Sequence, residues 1–345
     1  MRNNTRLSMC LIAGAIVILF MINLLLGSVS IPIKSIWAIL CGSDQEPIIW
    51  TNIIWKSRFP QAVTALVAGV ALSISGLQMQ TVFQNPLAGP SVLGISSGAS
   101  LGVAFVILIS GTLGGVALSK VGIVGEFSLT IAAILGALSV MALILYVSQK
   151  VRGNVTLLII GVMIGYISNA IIGVLKFFSV EEDVKAYVIW GLGSFSRVSG
   201  NQVWVFVLLI CICLPLSFLL IKRMNLLLLG EAYARNLGLN VKTARLQVIL
   251  TSGVLTAIVT AYCGPVIFLG LAVPHLCRGL FRTSDHRILM PACFLVGAAL
   301  ALVCNLIARM PGFEGALPVN SVTALIGAPV VVYVLFNKRN KEFQE

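Results

Sequence analysis

Charged residues are scarce in this sequence. Asp, Glu, Lys and Arg together make up only 10% of its 345 residues, whereas soluble domains carry about 25%. Hydrophobic residues make up 59%, and the mean hydropathy is +1.04. A soluble core cannot absorb this much apolar surface, so the composition excludes a soluble globular protein. We predict an all-α polytopic membrane protein in which residues 1–345 form a single transmembrane domain.

Acidic residues are absent from the long apolar runs. Ten runs have membrane length or nearly so, and we predict a helix for each; they lie at 7–26, 61–83, 93–111, 127–148, 156–175, 203–221, 244–265, 268–281, 289–308 and 320–336. The run at 268–281 is too short to cross alone, and Pro274 is expected to interrupt it. Ion-driven transporters carry coupling charge on buried acids, so this absence weighs against an ion-coupled secondary transporter, the alternative from another class.

The sequence also lacks the residue sets of enzymes and metal sites. It has no G-x-x-x-x-G-K-[ST] loop for ATP, no C-x-x-C pair among its eight cysteines, and no Ser/His/Asp or paired-acid set. His275 is expected to pack a helix, and Asp285 with His286 to form a solvated turn. We predict no catalytic residue, no metal site, no cofactor and no enzymatic activity.

The basic residues indicate the orientation. If the amino terminus is cytoplasmic, 15 of the 23 Lys and Arg residues but only four of the 11 acidic residues fall on the cytoplasmic side. Cytoplasmic loops are enriched in Lys and Arg. We therefore predict that both termini are cytoplasmic, and that the net charge of +12 reflects topology and not binding to nucleic acid.

Two segments rich in Gly and Pro interrupt the apolar pattern. One is QNPLAGPSVLGISSGAS from Gln84 to Ser100, and the other is CGPVIFLGLAVPHLCRGL from Cys263 to Leu280. Non-helical backbone at membrane depth occurs where it is buried in protein or lines a watery cavity. Broken segments in corresponding places of two halves suggest an inverted repeat, here with halves at about 56–178 and 243–336.

The longest cytoplasmic linker spans 222–245. Its GEAYARNLG segment predicts a short helix in which Glu231 and Arg235 form an i,i+4 pair and Gly238 is the stop. Such a helix either fills a groove on another protein or is a solvated connector.

Four motifs resemble one family when taken together. QNPLAGPSVLGISSGASLG, GEAYARNLGLNV, GPVIFLGLAVPHLCR and LPVNSVTALIGAP stand in this order and are similar to the FecCD-type permeases. These are membrane subunits of bacterial ATP-binding-cassette (ABC) importers for ferric siderophores, haem and vitamin B12. The resemblance covers about 30–336 and implies the type II ABC importer permease fold, with about ten transmembrane helices.

The resemblance assigns roles to individual positions. Gly230, Glu231, Arg235 and Gly238 match the helix that couples to the ATPase, and Asn85, Pro86 and Leu87 match the cytoplasmic gate. Arg58 and Arg309 match external basic positions that dock the binding protein. Gln61 stands where the family often has a second arginine, and Lys56 is expected to supply the missing charge.

The resemblance also implies partners and a location. The chain would pair with a second copy of itself, two cytoplasmic ABC ATPase subunits and a periplasmic or lipid-anchored substrate-binding protein, within the lipid of the bacterial inner membrane. The substrate would be a bulky metal chelate, a ferric siderophore or haem, with vitamin B12 (cobalamin) as the alternative.

Overall fold

The structure, a computed structural model, describes residues 2–27, 29–42, 46–109, 122–151, 153–310 and 317–342. Within these ranges the chain is helical and contains no strand. The helices are α1 (Arg2–Leu25), α2 (Ile33–Leu40), α3 (Ile48–Ile53), α4 (Phe59–Phe83), α5 (Ile95–Ala104), α6 (Gly122–Lys150), α7 (Asn154–Phe178), α8 (Glu181–Gly191), α9 (Asn201–Leu219), α10 (Ile221–Leu228), α11 (Glu231–Asn236), α12 (Val241–Cys263), α13 (Phe268–Phe281), α14 (His286–Ala308) and α15 (Val319–Glu342). One π-helical turn, Ile54–Arg58, joins α3 to α4, and another, Phe105–Ile109, extends α5.

Each of the ten predicted spans coincides with a helix. Seven helices among the described residues are long and apolar enough to cross a membrane, and shorter apolar helices occupy the other three predicted spans. The short run at 268–281 is the 14-residue helix α13, only about 21 Å long at 1.5 Å per residue. Residues 110 and 111 of the third span, and Arg152 and Glu345 of the charge count, lie outside the described residues.

Two helices, α4 and α12, form the centre of the molecule. Most of their side chains are buried, whereas α1, α6, α7 and α9 bury less than a third of theirs. Ser75 on α4 lies 2.6 Å from the Ser252 hydroxyl and 2.7 Å from the Thr256 hydroxyl on α12. The amide of Gln78 donates to the Thr251 hydroxyl at 3.0 Å. Since lipid provides no hydrophobic force between helices, such polar contacts and close packing hold the pair together.

Helix α13 packs against α4 at backbone contact distance. A Cβ atom on Gly76 would lie 1.7 Å from the carbonyl oxygen of Gly270, so only glycine fits at position 76. The prediction that Pro274 interrupts this segment is wrong, because α13 is continuous from Phe268 to Phe281 with Pro274 inside it. Proline removes one backbone hydrogen bond, and packing between α4 and α15 keeps the helix intact despite that loss.

The linkers group at two ends of the helix bundle, as the predicted alternation requires. At one end, Gln84 forms a hydrogen bond with Leu227 and Asn225 forms one with Asp285. We call this end the coupling end. At the opposite end, the Ser194 amide donates to the Cys263 carbonyl at 2.8 Å, and the Leu317 amide donates to the Ala308 carbonyl at 2.8 Å. Which end faces the cytoplasm stays a prediction.

The two Gly/Pro segments have similar local structure. Helix α4 ends at Gln84 with φ of +47°, and α12 ends at Gly264 with φ of +78°. Each is followed by a proline and then by a short apolar helix, α5 or α13. This parallel is consistent with repeat halves at 56–178 and 243–336, which remain a prediction.

Replacing Gly76 tests the close helix contact. We expect Gly76→Ala to destabilise the protein, because the added methyl group must push α13 away from α4; overpacking typically costs about 1–3 kcal/mol or more. Gly173→Ala is the matched control, since a Cβ there meets no atom within 4 Å. Thermal unfolding in detergent should show a lower Tm for Gly76→Ala alone. Equal Tm values for both variants would contradict this packing.

Candidate functional site at the coupling end

The predicted short helix exists as α11, and its boundaries follow from two glycines. Gly230 precedes it with φ of +93°, and Gly238 follows it with φ of +83°; side chains rarely adopt such backbone angles. Glu231 lies in the first turn and Arg235 in the last. Each charge therefore interacts favourably with the helix dipole at its end and stabilises the helix. The sequence-based prediction of this helix and its stop is confirmed.

Glu231 forms two ion pairs. The predicted i,i+4 pair with Arg235 is present at 3.4 Å, but Arg235 is largely exposed. The second partner is Arg245 on α12, which is nearly buried. Fourteen residues separate Glu231 from Arg245, so no local spacing rule could have indicated this contact. It attaches α11 to one of the two central helices.

A groove of about 900 Å³ lies beside α11. The groove is lined by the end of α6, by Glu231 with its two arginine partners, and by the start of α12. Lys150, Arg235 and Lys242 give it a basic character. Tyr233 on α11 is 70% exposed. A large aromatic side chain and a basic groove at one surface suit a protein partner.

The polar turn after α4 lies at the same end. The Asn85 side-chain oxygen accepts a hydrogen bond from the Leu87 amide at 2.9 Å, which fixes the turn locally. Pro86 and Leu87 are exposed, and Leu87 has 47% of its surface accessible. The side-chain amide of Gln84 donates a hydrogen bond to the backbone carbonyl of Leu227 at 3.0 Å. The structure thus brings the predicted gate residues close to the segment that leads into α11.

The interpretation of Asp285 and His286 as a solvated turn is wrong. Asp285 caps α14, and its carboxylate accepts from the Arg287 amide at 2.9 Å; this bond is the main reason that the pKa of Asp285 is lowered. His286 is buried between Thr81 and Asn225. An Asp before a helical run is an N-cap signal that can be read from sequence, whereas the burial of His286 depends on α4 and α10.

At the opposite end, the structure corrects the role predicted for Arg58. Its side chain is 1% exposed, and Nη1 donates to the carbonyls of Leu24 and Leu25, both at 2.8 Å. Arg58 therefore satisfies the last carbonyls of α1, as basic residues do at helix ends, and is not available for docking. Lys56 in the same turn is exposed.

Arg309 follows α14 at the same end and is partly exposed. Burial and the nearby Arg58 guanidinium lower the pKa of Arg309 to about 10, so its side chain is charged at neutral pH.

The fold and the coupling end define a class of protein. Apolar helices that cross the bilayer, breaks after α4 and α12, and an exposed short helix beside the broken turn describe a type II permease of an ABC importer. The comparisons with known proteins agree. A solved inward-facing structure of a transporter assigned to the metal-chelate type of ABC transporters matches with a TM-score of 0.82 and 29% identity, covering 96% of this chain and 99% of its own.

The comparisons also identify the family. The chain belongs to the FecCD transport family, whose model matches residues 15–337. The haemin transport system permease protein HmuU of Yersinia pestis is 33% identical over 343 residues, which is 98% of this chain and 99% of that protein. The vitamin B12 import system permease protein BtuC of Klebsiella pneumoniae is 35% identical over 310 residues, which is 88% of this chain and 90% of that protein. The chain is thus a multi-pass membrane permease of a bacterial ABC importer.

Proposed function

We propose that two copies of this chain form the conduit of an importer for a bulky metal chelate, a ferric siderophore or haem. The observation that carries this proposal is the family match over almost the whole chain. Because the haemin permease aligns with 98% of the chain and the B12 permease with 88%, we place haem first among the relatives' substrates and keep cobalamin as the alternative.

Exposed polar groups on α7 support a path between two copies. Tyr166 and Asn169 are exposed on this apolar helix. Together with Ser91 and Ser97 they line a shallow cavity of about 190 Å³. Polar side chains within a span normally face the protein interior or water and not lipid, and a second copy placed against this surface would enclose them.

The coupling end supports a separate ATPase. The sequence contains no P-loop, so the energy of nucleotide hydrolysis must come from another subunit. We propose that α11 enters a cleft of that subunit, with Gly230 and Gly238 setting the ends of the helix and with Glu231 and Arg235 on its surface. Asn85, Pro86 and Leu87 then close the cytoplasmic mouth of the path.

Charge supports the remaining assignments. The excess of Lys and Arg at the coupling end favours a cytoplasmic location for it, with both termini on that side of the bacterial inner membrane. On the external side, Lys56 is exposed and Arg309 is partly exposed, and we propose that these two cations meet the binding protein. Arginine and lysine of this kind pair with carboxylates on a partner.

The functional proposal is tested with the chain and its genomic neighbours in proteoliposomes. We expect the purified permease to retain an ATPase subunit and to import haemin when ATP is supplied inside the vesicle, because the chain itself cannot bind nucleotide. The uptake of cyanocobalamin and of a panel of ferric siderophores is measured in the same way, and the compound that is taken up identifies the substrate. Uptake that needs a proton gradient but no ATP would contradict the proposal.

The docking proposal predicts a charge effect. We expect Arg309→Glu combined with Lys56→Glu to weaken capture of the binding protein by at least about tenfold, since each reversal turns an attraction into a repulsion. Lys34→Glu, an exposed change in the neighbouring α2, serves as a control for a charge reversal outside the proposed contact. Affinity measured on a biosensor should fall only for the double variant, and unchanged affinity would refute the docking role.

A further inference from the structure

A buried hydrogen-bonded chain joins the end of α4 to α10. The Thr81 hydroxyl lies 2.7 Å from Nε2 of His286. On the other side of the ring, Nδ1 lies 2.7 Å from the side-chain oxygen of Asn225, which also accepts the His286 backbone amide at 2.9 Å. The Asn225 amide nitrogen donates to Asp285 at 2.7 Å. Three helices, α4, α10 and α14, therefore meet at His286.

The chemistry of the groups sets the direction of these bonds. Since the Asn225 nitrogen donates to the Asp285 carboxylate, its oxygen faces His286 and can only accept. Nδ1 of His286 must then carry a proton, and in the neutral ring Nε2 accepts from the Thr81 hydroxyl. That hydroxyl also lies 2.8 Å from the Leu77 carbonyl, so it remains bonded if the ring withdraws. Breaking the link through Thr81 would instead leave Nε2 of the buried His286 ring without a donor, which is costly.

A second link runs parallel to the first. The Gln84 amide, three residues after Thr81, donates to the Leu227 carbonyl at 3.0 Å, and Leu227 lies two residues after Asn225. Both links therefore connect the last turn of α4 to α10. Only Leu229 and Gly230 separate α10 from α11, and Gln84 is directly followed by the Asn85–Leu87 turn.

We propose that Thr81, His286 and Asn225 are positioning residues that transmit a displacement of α11 to the Asn85–Leu87 turn. This inference rests on the proposed function, in which α11 meets the ATPase. Buried hydrogen bonds are costly to leave unmade, so α10 and the end of α4 move together while the links hold. When α11 is pulled by its partner, α10 carries the gate turn with it.

The test measures coupling and not activity alone. The wild-type permease is reconstituted with its ATPase and binding protein, and the uptake of haemin and cyanocobalamin per ATP hydrolysed is compared between variants. Thr81→Val removes the hydroxyl but keeps the shape, whereas Thr81→Ser restores the hydroxyl. Thr64→Val is the matched control, because Thr64 is a buried residue of α4 near its other end whose hydroxyl donates to the Pro60 carbonyl.

We expect Thr81→Val to lower the uptake per ATP by about fivefold, the effect of losing one hydrogen bond of typical strength. The affinity for the ATPase and the rate of ATP hydrolysis should stay within about twofold of wild type, because the substitution leaves α11 unchanged and distant sites act independently. Thr81→Ser and Thr64→Val should match wild type. An unchanged ratio in Thr81→Val, or an equal loss in Thr81→Ser, would overturn the proposal.

Two further outcomes are decisive. If Thr81→Val is not recovered as a monodisperse protein, Asn225→Ala on the partly exposed side of the network gives the same comparison, and an unchanged ratio in that variant overturns the proposal. If the wild type neither binds an ATPase nor takes up a probe, the proposed function fails, and the inference about coupling fails with it. A loss in Thr81→Val alone leaves the proposed function intact and supports the link.

Discussion

The absence of water in the bilayer core governs this structure. Every backbone amide and carbonyl at membrane depth must find a partner within the protein, so the membrane segments are helices. Lipid gives no hydrophobic force between helices. The central pair α4 and α12 is therefore held by hydroxyl contacts around Ser75 and Ser252, and α13 approaches α4 closely because Gly76 has no side chain.

The same constraint explains where function is located. The chain leaves the helical path after α4 and again after α12, and the second break is followed by α13, which is too short to cross alone. At the coupling end, Gln84 after α4 bonds to Leu227 of α10, and Thr81 in the last turn of α4 bonds to His286 of α14. The central pair of helices thus supports a turn with exposed Pro86 and Leu87, and the residue before that turn bonds to α10, which leads into the helix proposed to bind the ATPase.

Sequence reasoning was most reliable where one physical signal was strong. Apolar length located the ten spans, and the Gly230 and Gly238 pattern located α11. It was wrong where packing decided the outcome: Arg58 is buried against the end of α1, His286 is enclosed by α4 and α10, and Pro274 lies in a continuous helix. The contact of Glu231 with Arg245 could not be predicted either, because it depends on how the linker folds back onto α12.

The central claim is that α11 is the surface on which a cytoplasmic ATPase acts. Placing a photo-crosslinking amino acid at Tyr233, which is 70% exposed on α11, tests it directly in cells. Phe177 is the control, since it is 82% exposed near the other end of the bundle. The account predicts a covalent adduct with the ATPase subunit from position 233 and none from position 177. An adduct of position 233 with the external binding protein, or with no ATPase at all, would contradict it.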